Sequence, residues 1–117
     1  MMNDDGWTPI TKLENIPLRE GRAVTVAGQE VAIFHLEDGR CRTIDNRCPH
    51  KGGPLCDGIV SGAVVVCPLH GRRFDLESGL AVRASEPAGV ATYPTRVEGG
   101  VVFIDLSRAR SPEEAAA

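Results

Sequence analysis

The chain has 117 residues, a mass of 12.5 kDa and a formal net charge of −3 at pH 7. This length suits a single domain and excludes two independent cores. The acidic balance argues against a nucleic-acid partner, and no apolar run approaches the roughly 20 residues that cross a bilayer, so no membrane partner is expected. The acidic first residues lack the basic and apolar segments of a secretory signal, and we expect a cytoplasmic protein.

The composition predicts an all-β fold. Apolar residues make up 42% of the chain and aromatic residues only 4%, so aliphatic side chains must fill the core. The 13 glycines and 8 prolines, without a repeat, indicate many tight turns. No segment has the length and 3.6-residue period of an amphipathic helix.

The predicted elements are short strands joined by turns. Asp38-Gly39 and Gly99-Gly100 predict hairpin turns, because these residues tolerate a positive φ. The tail from about 108 to 117 is polar and then alanine-rich, which predicts a flexible segment or a short helical turn. In chain order, the predicted strands are 7–12, 24–26, 31–36, 42–44, 59–60, 63–66, 92–97 and 101–106.

Two Cys-Pro segments each offer one thiolate and one imidazole. The first is Cys48-Pro49-His50 and the second is Cys67-Pro68-Leu69-His70. The stretch between them is rich in β-branched residues, and a hairpin there would bring the two segments side by side. Ligands one or two residues apart can reach two adjacent metal ions, and thiolate is a soft ligand that suits iron–sulfur clusters and zinc. The spacing therefore favours a cluster with two cysteine and two histidine ligands.

Two other interpretations stay open at this point. One tetrahedral Zn²⁺ could be bound by the same four residues, giving a non-redox interaction module, although the order Cys, His, Cys, His departs from the usual zinc spacing. The other alternative is that these residues bind no metal and are ordinary buried thiols and unrelated histidines. A hydrolytic Cys/His pair lacks any accompanying third group or oxyanion element, so no catalytic residue is predicted.

The two segments resemble the ligand motifs of the Rieske family. The matching runs are 48–55 and 67–71, with Phe74-Asp75 following, and the resemblance extends to the closing strands. It implies an antiparallel β-sandwich base in one domain spanning 1–117, with an inserted cluster-binding subdomain from about Thr43 to Leu76. It also implies one [2Fe–2S] cluster per chain, held by the cofactor ligands Cys48, His50, Cys67 and His70.

Within the family the chain looks like a small ferredoxin. The respiratory type carries an extra disulfide beside the cluster, and the matching positions here are Gly53 and Leu69, so we expect a potential toward the low end of the Rieske range. The run 48–55 looks most like the small subunit of NAD(P)H-dependent assimilatory nitrite reductase, whose partner is a large flavin- and sirohaem-bearing subunit that reduces nitrite to ammonia. The alternative is the ferredoxin component of a ring-hydroxylating dioxygenase, which serves a ferredoxin reductase and an oxygenase. Either assignment implies an electron-transfer subunit with a redox protein partner rather than a catalyst alone.

Other polar residues near the motifs are harder to assign. Cys41 and Cys56 match no ligand position, and buried small thiols explain them without a function. Lys51, Arg72 and Arg73 lie beside the ligands in an otherwise acidic chain. They predict either a basic rim for a redox partner or an ordinary solvated surface.

Overall fold

The computed structural model describes residues 6–49, 52–69, 71–82 and 89–116. Within these residues ten strands form three antiparallel sheets, which confirms the all-β prediction. No helix in the described ranges is both long and apolar enough to cross a membrane. The strands are β1 (Thr8–Lys12), β2 (Gly21–Val26), β3 (Gln29–His35), β4 (Cys41–Asp45), β5 (Ile59–Ser61), β6 (Val64–Val66), β7 (Arg73–Asp75), β8 (Thr92–Tyr93), β9 (Thr95–Glu98) and β10 (Val101–Ile104).

The helical elements are short. Three-residue 3₁₀ helices cover Leu13–Asn15, Leu55–Asp57 and Leu106–Arg108, and the only α-helix of the described residues, α1, spans Pro112–Ala116. The helix lies in the segment predicted as a flexible tail or helical turn. Just before it, Arg110 forms a two-way backbone bridge with Thr92, which ties this segment to the edge strand β8.

Two sheets form the base. One has the strand order β2-β3-β4-β8 and the other the order β1-β10-β9. Strand β3 is buried on both faces because it lies between two apolar clusters. Val31 and Ile33 point into the cluster between the two base sheets, whereas Ala32 and Phe34 point into a second cluster on the opposite face.

The predicted strand over 92–97 is wrong in one respect. It is two strands, because β8 pairs with β4 and β9 pairs with β10. Pro94 lies between them and has no N–H to donate to a ladder. The chain therefore passes from one base sheet to the other at this proline.

The third sheet has the order β5-β6-β7 and lies entirely within residues 43–76. Its inner face presents Val60, Val65 and Phe74, which are buried and directly opposite one another. Strand β4 ends at Asp45, so the first residues of that range belong to the base sheet. The predicted hairpin over 59–66 is confirmed, whereas β7 was not predicted, because three residues are too few to show an alternation.

Candidate metal centre

The first cysteine loop leaves the base sheet three residues after β4. The Cys48 N–H donates to the carbonyl of Gly53 at 2.8 Å, and the Gly52 N–H donates to the carbonyl of Cys48 at 2.7 Å. Gly52 has a φ of +74°, a conformation that other residues adopt at a cost. These two bonds join the beginning and the end of the first loop.

The second cysteine loop repeats this arrangement after β6. The Cys67 N–H donates to the carbonyl of Arg72 at 2.7 Å, and the Gly71 N–H donates to the carbonyl of Cys67 at 3.0 Å. Gly71 has a φ of +73°. Both loops therefore place a cysteine, a proline and a left-handed glycine at the same three positions of one hydrogen-bonding pattern.

Both cysteines are buried in the apolar cluster that lies under the loops. Cys48 and Cys67 are each 2% exposed. They share this cluster with the inner face of the third sheet and with one face of β3. The two thiols therefore lie on the inner side of the site, where a bound group would be shielded from water. The members of the cluster are Ala32, Phe34, Leu36, Ile44, Cys48, Leu55, Val60, Val65, Cys67, Phe74, Leu76 and Val90.

The two loops touch each other. A Cβ atom at Gly53 would lie 2.8 Å from Leu69 Cγ and 3.3 Å from Cys67 Sγ. The predicted side-by-side arrangement of the loops is therefore confirmed, and Gly53 leaves the space that a side chain would fill. The positions equivalent to the extra disulfide of the respiratory type are in contact here, but they carry a glycine and a leucine.

The two predicted histidine ligands, His50 and His70, lie outside the described residues, as does Lys51. Of the four predicted ligands, only the two cysteines lie within the described residues. No group of three metal-ligating side chains lies within these residues. These cysteines fit an iron–sulfur cluster, since two soft donors are buried together and each is followed within three residues by an imidazole. When bound, a Rieske cluster accepts and releases single electrons at roughly −150 to +300 mV.

The other two cysteines lie apart from the loop pattern. Cys41 is buried in the cluster between the base sheets, and burial raises the pKa of its thiol to about 11. Cys56 is half-buried, and burial together with the neighbouring Asp57 carboxylate raises the pKa of its thiol. Both thiols are therefore poor nucleophiles at neutral pH.

Asn46 connects the first loop to the short helix that follows it. Its side chain is buried, and its Oδ1 accepts a hydrogen bond from the Cys56 N–H at 2.8 Å. Its backbone carbonyl accepts another from the Leu55 N–H at 2.7 Å. Sequence reasoning missed this residue, because an asparagine beside a loop carries no signal of a partner ten residues away.

A small polar network lies beside the same loop. Tyr93 Oη donates to Asp45 Oδ1 at 2.5 Å, and Gln29 Nε2 donates to both side chains at 3.1 and 3.2 Å. Burial, followed by the hydrogen bond to Asp45, raises the pKa of Tyr93. This network fixes the end of β4, from which the first loop departs.

Arginines beside the loops differ from most others in the chain. Arg47, Arg72 and Arg73 form no ion pair with any described residue, whereas six arginines elsewhere do. Arg47 and Arg73 are exposed and Arg72 is half-buried. Sequence reasoning named Arg72 and Arg73 but missed Arg47, although it directly precedes Cys48.

Residues 6–105 match the family model of the Rieske-like [2Fe-2S] domain. The chain belongs to this family, and it is an electron carrier with a Rieske [2Fe–2S] cluster. The zinc-bound interaction module considered from the sequence therefore gives way to the redox interpretation.

Three relatives match this chain over nearly their whole length. The chain is 39% identical over 101 residues to the ferredoxin component of the naphthalene 1,2-dioxygenase system of Pseudomonas aeruginosa, covering 86% of this chain and 96% of that protein. Its fold matches a Mycobacterium tuberculosis protein assigned as the small subunit of an NADH-dependent nitrite reductase, with a TM-score of 0.78, 27% identity and coverage of 92% and 97%. It also matches a Sphingomonas yanoikuyae B1 ferredoxin, with a TM-score of 0.74, 30% identity and coverage of 84% and 96%.

Proposed function

We propose that this chain is the ferredoxin component of a ring-hydroxylating oxygenase system and carries single electrons from a reductase to an oxygenase. The observation that carries this proposal is the 39% identity to the naphthalene dioxygenase ferredoxin, which extends over 96% of that protein. The resemblance of the short run 48–55 to nitrite reductase small subunits favoured the other assignment. Sequence identity over about 100 residues is stronger evidence than a resemblance confined to one loop, because the whole family shares that loop.

We further propose that Cys48 and Cys67 bind one iron of the cluster and that His50 and His70 bind the other. The equivalent closure of the two loops supports this division, because it presents both thiols to the same apolar interior. Because both thiols are buried, His50 and His70 would hold the second iron on the side of the loop surface. An electron then has a short path between the cluster and a partner that docks on these loops.

The small subunit of a nitrite reductase is the second candidate. The overlap with the Mycobacterium tuberculosis protein favours it, since 92% of this chain aligns there and 84% aligns with the Sphingomonas ferredoxin. In that case the electron would pass to a large nitrite-reducing subunit. Both candidates need the same four ligands, so the site alone does not separate them.

The proposal is tested by isolating the tagged chain from its native cells and identifying the proteins that accompany it. Two cultures are compared, one grown on an aromatic carbon source and one with nitrite as the sole nitrogen source. We expect an oxygenase or a flavin-dependent reductase from the first culture, and we expect deletion of the gene to abolish growth on the aromatic compound. Recovery of a nitrite reductase large subunit, with a growth defect on nitrite alone, would contradict the proposal.

A tagged Cys48→Ser variant is the matched control. It removes a proposed ligand and leaves the exposed surface unchanged, since Cys48 is buried. A deletion strain that carries this variant should fail to grow in the condition that requires the protein. Growth restored by the variant would mean that the phenotype does not depend on electron transfer by this chain.

A further inference from the structure

The outer face of the third sheet ends in a row beside the second cysteine loop, with two exposed side chains flanking a half-buried one. Ile59, Val66 and Arg73 are direct cross-strand partners, so their side chains stand on one face. Val66 and Arg73 flank the loop that runs from Cys67 to Arg72. The row is therefore the last rung of the sheet before the proposed cluster.

Among the described residues three large apolar side chains are exposed, and two of them lie in this region. Ile59 is 73% exposed and Leu69, within the loop itself, is 51% exposed. The third is Leu18, 49% exposed, which lies next to Arg19 near the opposite end of β3. Exposed aliphatic groups beside an electron-transfer site are typical of a surface that a protein partner covers.

The same region carries three of the arginines that form no ion pair with any described residue. Arg47 directly precedes Cys48, and Arg72 and Arg73 directly follow Gly71. The nearby Asp75 carboxylate already accepts hydrogen bonds from the backbone N–H groups of Glu77 and Ser78. Glu30 also lies near, in the groove beside the first loop, and forms no ion pair with Arg47.

Near the opposite end of β3 the arginines are neutralised. Arg19 pairs with Glu37 at 2.7 Å, Arg22 with Glu20 at 3.2 Å and Arg40 with Asp38 at 2.6 Å. All three pairs are exposed, so the contrast is between paired and unpaired surface charge. Three guanidinium groups without a described ion pair therefore lie beside the proposed redox site of a chain whose net charge is −3.

We propose that Ile59, Val66, Leu69, Arg47, Arg72 and Arg73 form one docking surface, the tip patch, and that its occupant is a redox protein with carboxylates around an apolar centre. Unpaired guanidinium groups attract a surface of opposite charge and speed encounter. The aliphatic side chains then exclude water at the centre of the contact. This inference rests on the electron-carrier function, and it holds for an oxygenase, a reductase or a nitrite reductase partner.

A binding experiment tests the patch without the natural partner. Holoprotein is passed over a monolayer that mixes carboxylate-terminated and methyl-terminated chains, and binding is followed by surface plasmon resonance as salt is raised. We expect wild type to bind at low ionic strength despite its net negative charge, and to dissociate as salt screens charges beyond about 8 Å. Failure of wild type to bind at any ionic strength would overturn the proposal.

The matched variants carry the same change in charge. Arg47→Gln/Arg72→Gln/Arg73→Gln removes three positive charges at the tip patch, and Arg19→Gln/Arg22→Gln/Arg40→Gln removes three at the other end. We expect the tip variant to bind about tenfold more weakly and the control to bind within about twofold of wild type, since only the former faces the surface. Equal losses would show that net charge, not the tip patch, governs binding.

A kinetic measurement checks that the same surface serves electron transfer. Reduced holoprotein is mixed with ferricyanide, and one electron passes from each protein molecule to give ferrocyanide. We expect the rate for wild type and the control variant to fall as salt is added, because the anion is attracted to the tip patch. The tip variant should show the opposite salt dependence. A wild-type rate that rises with salt would contradict a positive surface near the site.

The apolar part of the patch has its own pair of variants. Leu69→Ser and Leu18→Ser remove leucines of nearly equal exposure at the two ends of the molecule. On the mixed monolayer we expect Leu69→Ser to dissociate several-fold faster than wild type and Leu18→Ser to match wild type. Identical dissociation rates would remove Leu69 from the docking surface. None of these measurements uses an oxygenase, so their failure would leave the proposed function standing.

Discussion

The two cysteine loops have the same backbone but different supports. Each is closed by a cysteine N–H that donates to the carbonyl five residues later and by a left-handed glycine that donates back to the cysteine. The first loop is tied to its surroundings by the buried Asn46 and by the network around Asp45. The second loop is carried by the short strands β6 and β7.

This difference separates two tasks. The shared hydrogen bonds and glycines determine where the thiols point, and the residues between them remain free to carry a histidine at the second or third position after the cysteine. The surrounding contacts determine how firmly each loop is held. Changes to the shared features should therefore affect both loops equally, and changes to the supports should affect only one.

The largest expected effect is the loss of either buried loop cysteine. Cys48→Ser and Cys67→Ser should each abolish the red-brown visible spectrum, because a hydroxyl does not replace a thiolate as a soft ligand. Cys41→Ser and Cys56→Ser are the controls and should keep the spectrum. Iron and acid-labile sulfide analysis checks all four variants. Loss of the cluster in both controls, or its retention in both loop variants, would refute the ligand assignment.

The next effect concerns the support that only the first loop has. Asn46→Ala leaves the N–H of Cys56 without its buried acceptor and should lower the free energy of unfolding by about 2 kcal/mol. Asn46→Asp keeps an acceptor oxygen and should lose less. Urea denaturation of the holoproteins measures both. A loss below about 0.5 kcal/mol for the alanine variant would mean that this bond does not support the loop.

The shared glycines should show equal, smaller effects. Gly52→Ala and Gly71→Ala impose a left-handed φ on a residue with a Cβ, which costs about 1.5 kcal/mol each. Steric crowding does not contribute to this cost. A Cβ at Gly71 meets no atom within 4 Å, and a Cβ at Gly52 meets only the side chain of Arg47, at 3.8 Å.

Gly62→Ala is the control for these two substitutions. Gly62 has a φ of +60° in the turn between β5 and β6, also with no atom within 4 Å of an added Cβ. Gly62→Ala should lower the free energy of unfolding by a similar amount but should not speed the loss of the cluster on heating. Gly52→Ala and Gly71→Ala should both speed that loss. Unequal effects of these two on cluster loss would show that the loops are not equivalent.

The smallest effect is the pH dependence contributed by Tyr93. Because the pKa of Tyr93 is raised on folding, its contribution to stability is fully present below pH 10, the ordinary tyrosine value, and is lost as the pH rises further. At neutral pH, Tyr93→Phe should lower the free energy of unfolding by about 1 kcal/mol. The difference in the free energy of unfolding between wild type and variant should shrink above pH 10. A difference that stays constant to higher pH would contradict the raised pKa.

Local sequence signals predicted most of the fold. Asp38-Gly39 and Gly99-Gly100 specify turns, and both lie between the strands expected for them. Strand β7 could not be predicted from three residues, since its pairing with β6 is decided by Phe74 packing in the core. The break between β8 and β9 could have been predicted from Pro94, because proline interrupts a strand ladder.

The site was predictable where the ligands themselves carry the pattern. Cys48 and Cys67 are recognisable from their spacing to histidine, whereas Asn46 acts through a partner that is distant in sequence. That Arg47 has no ion pair within the described residues depends on where the carboxylates lie, so only the structure reveals it. The sequence pattern predicts the four ligands, and the packing around the two cysteines must be observed in the structure.

The most direct test of the account is electron–nuclear double resonance on the reduced holoprotein. The account predicts nitrogen couplings from two directly bound imidazoles, with one coupling lost when either His50 or His70 is replaced by cysteine in a variant that still holds the cluster. A reduced cluster without any nitrogen coupling, or a purified protein with one divalent ion and no acid-labile sulfide, would contradict the claim that two cysteines and two histidines bind the cluster.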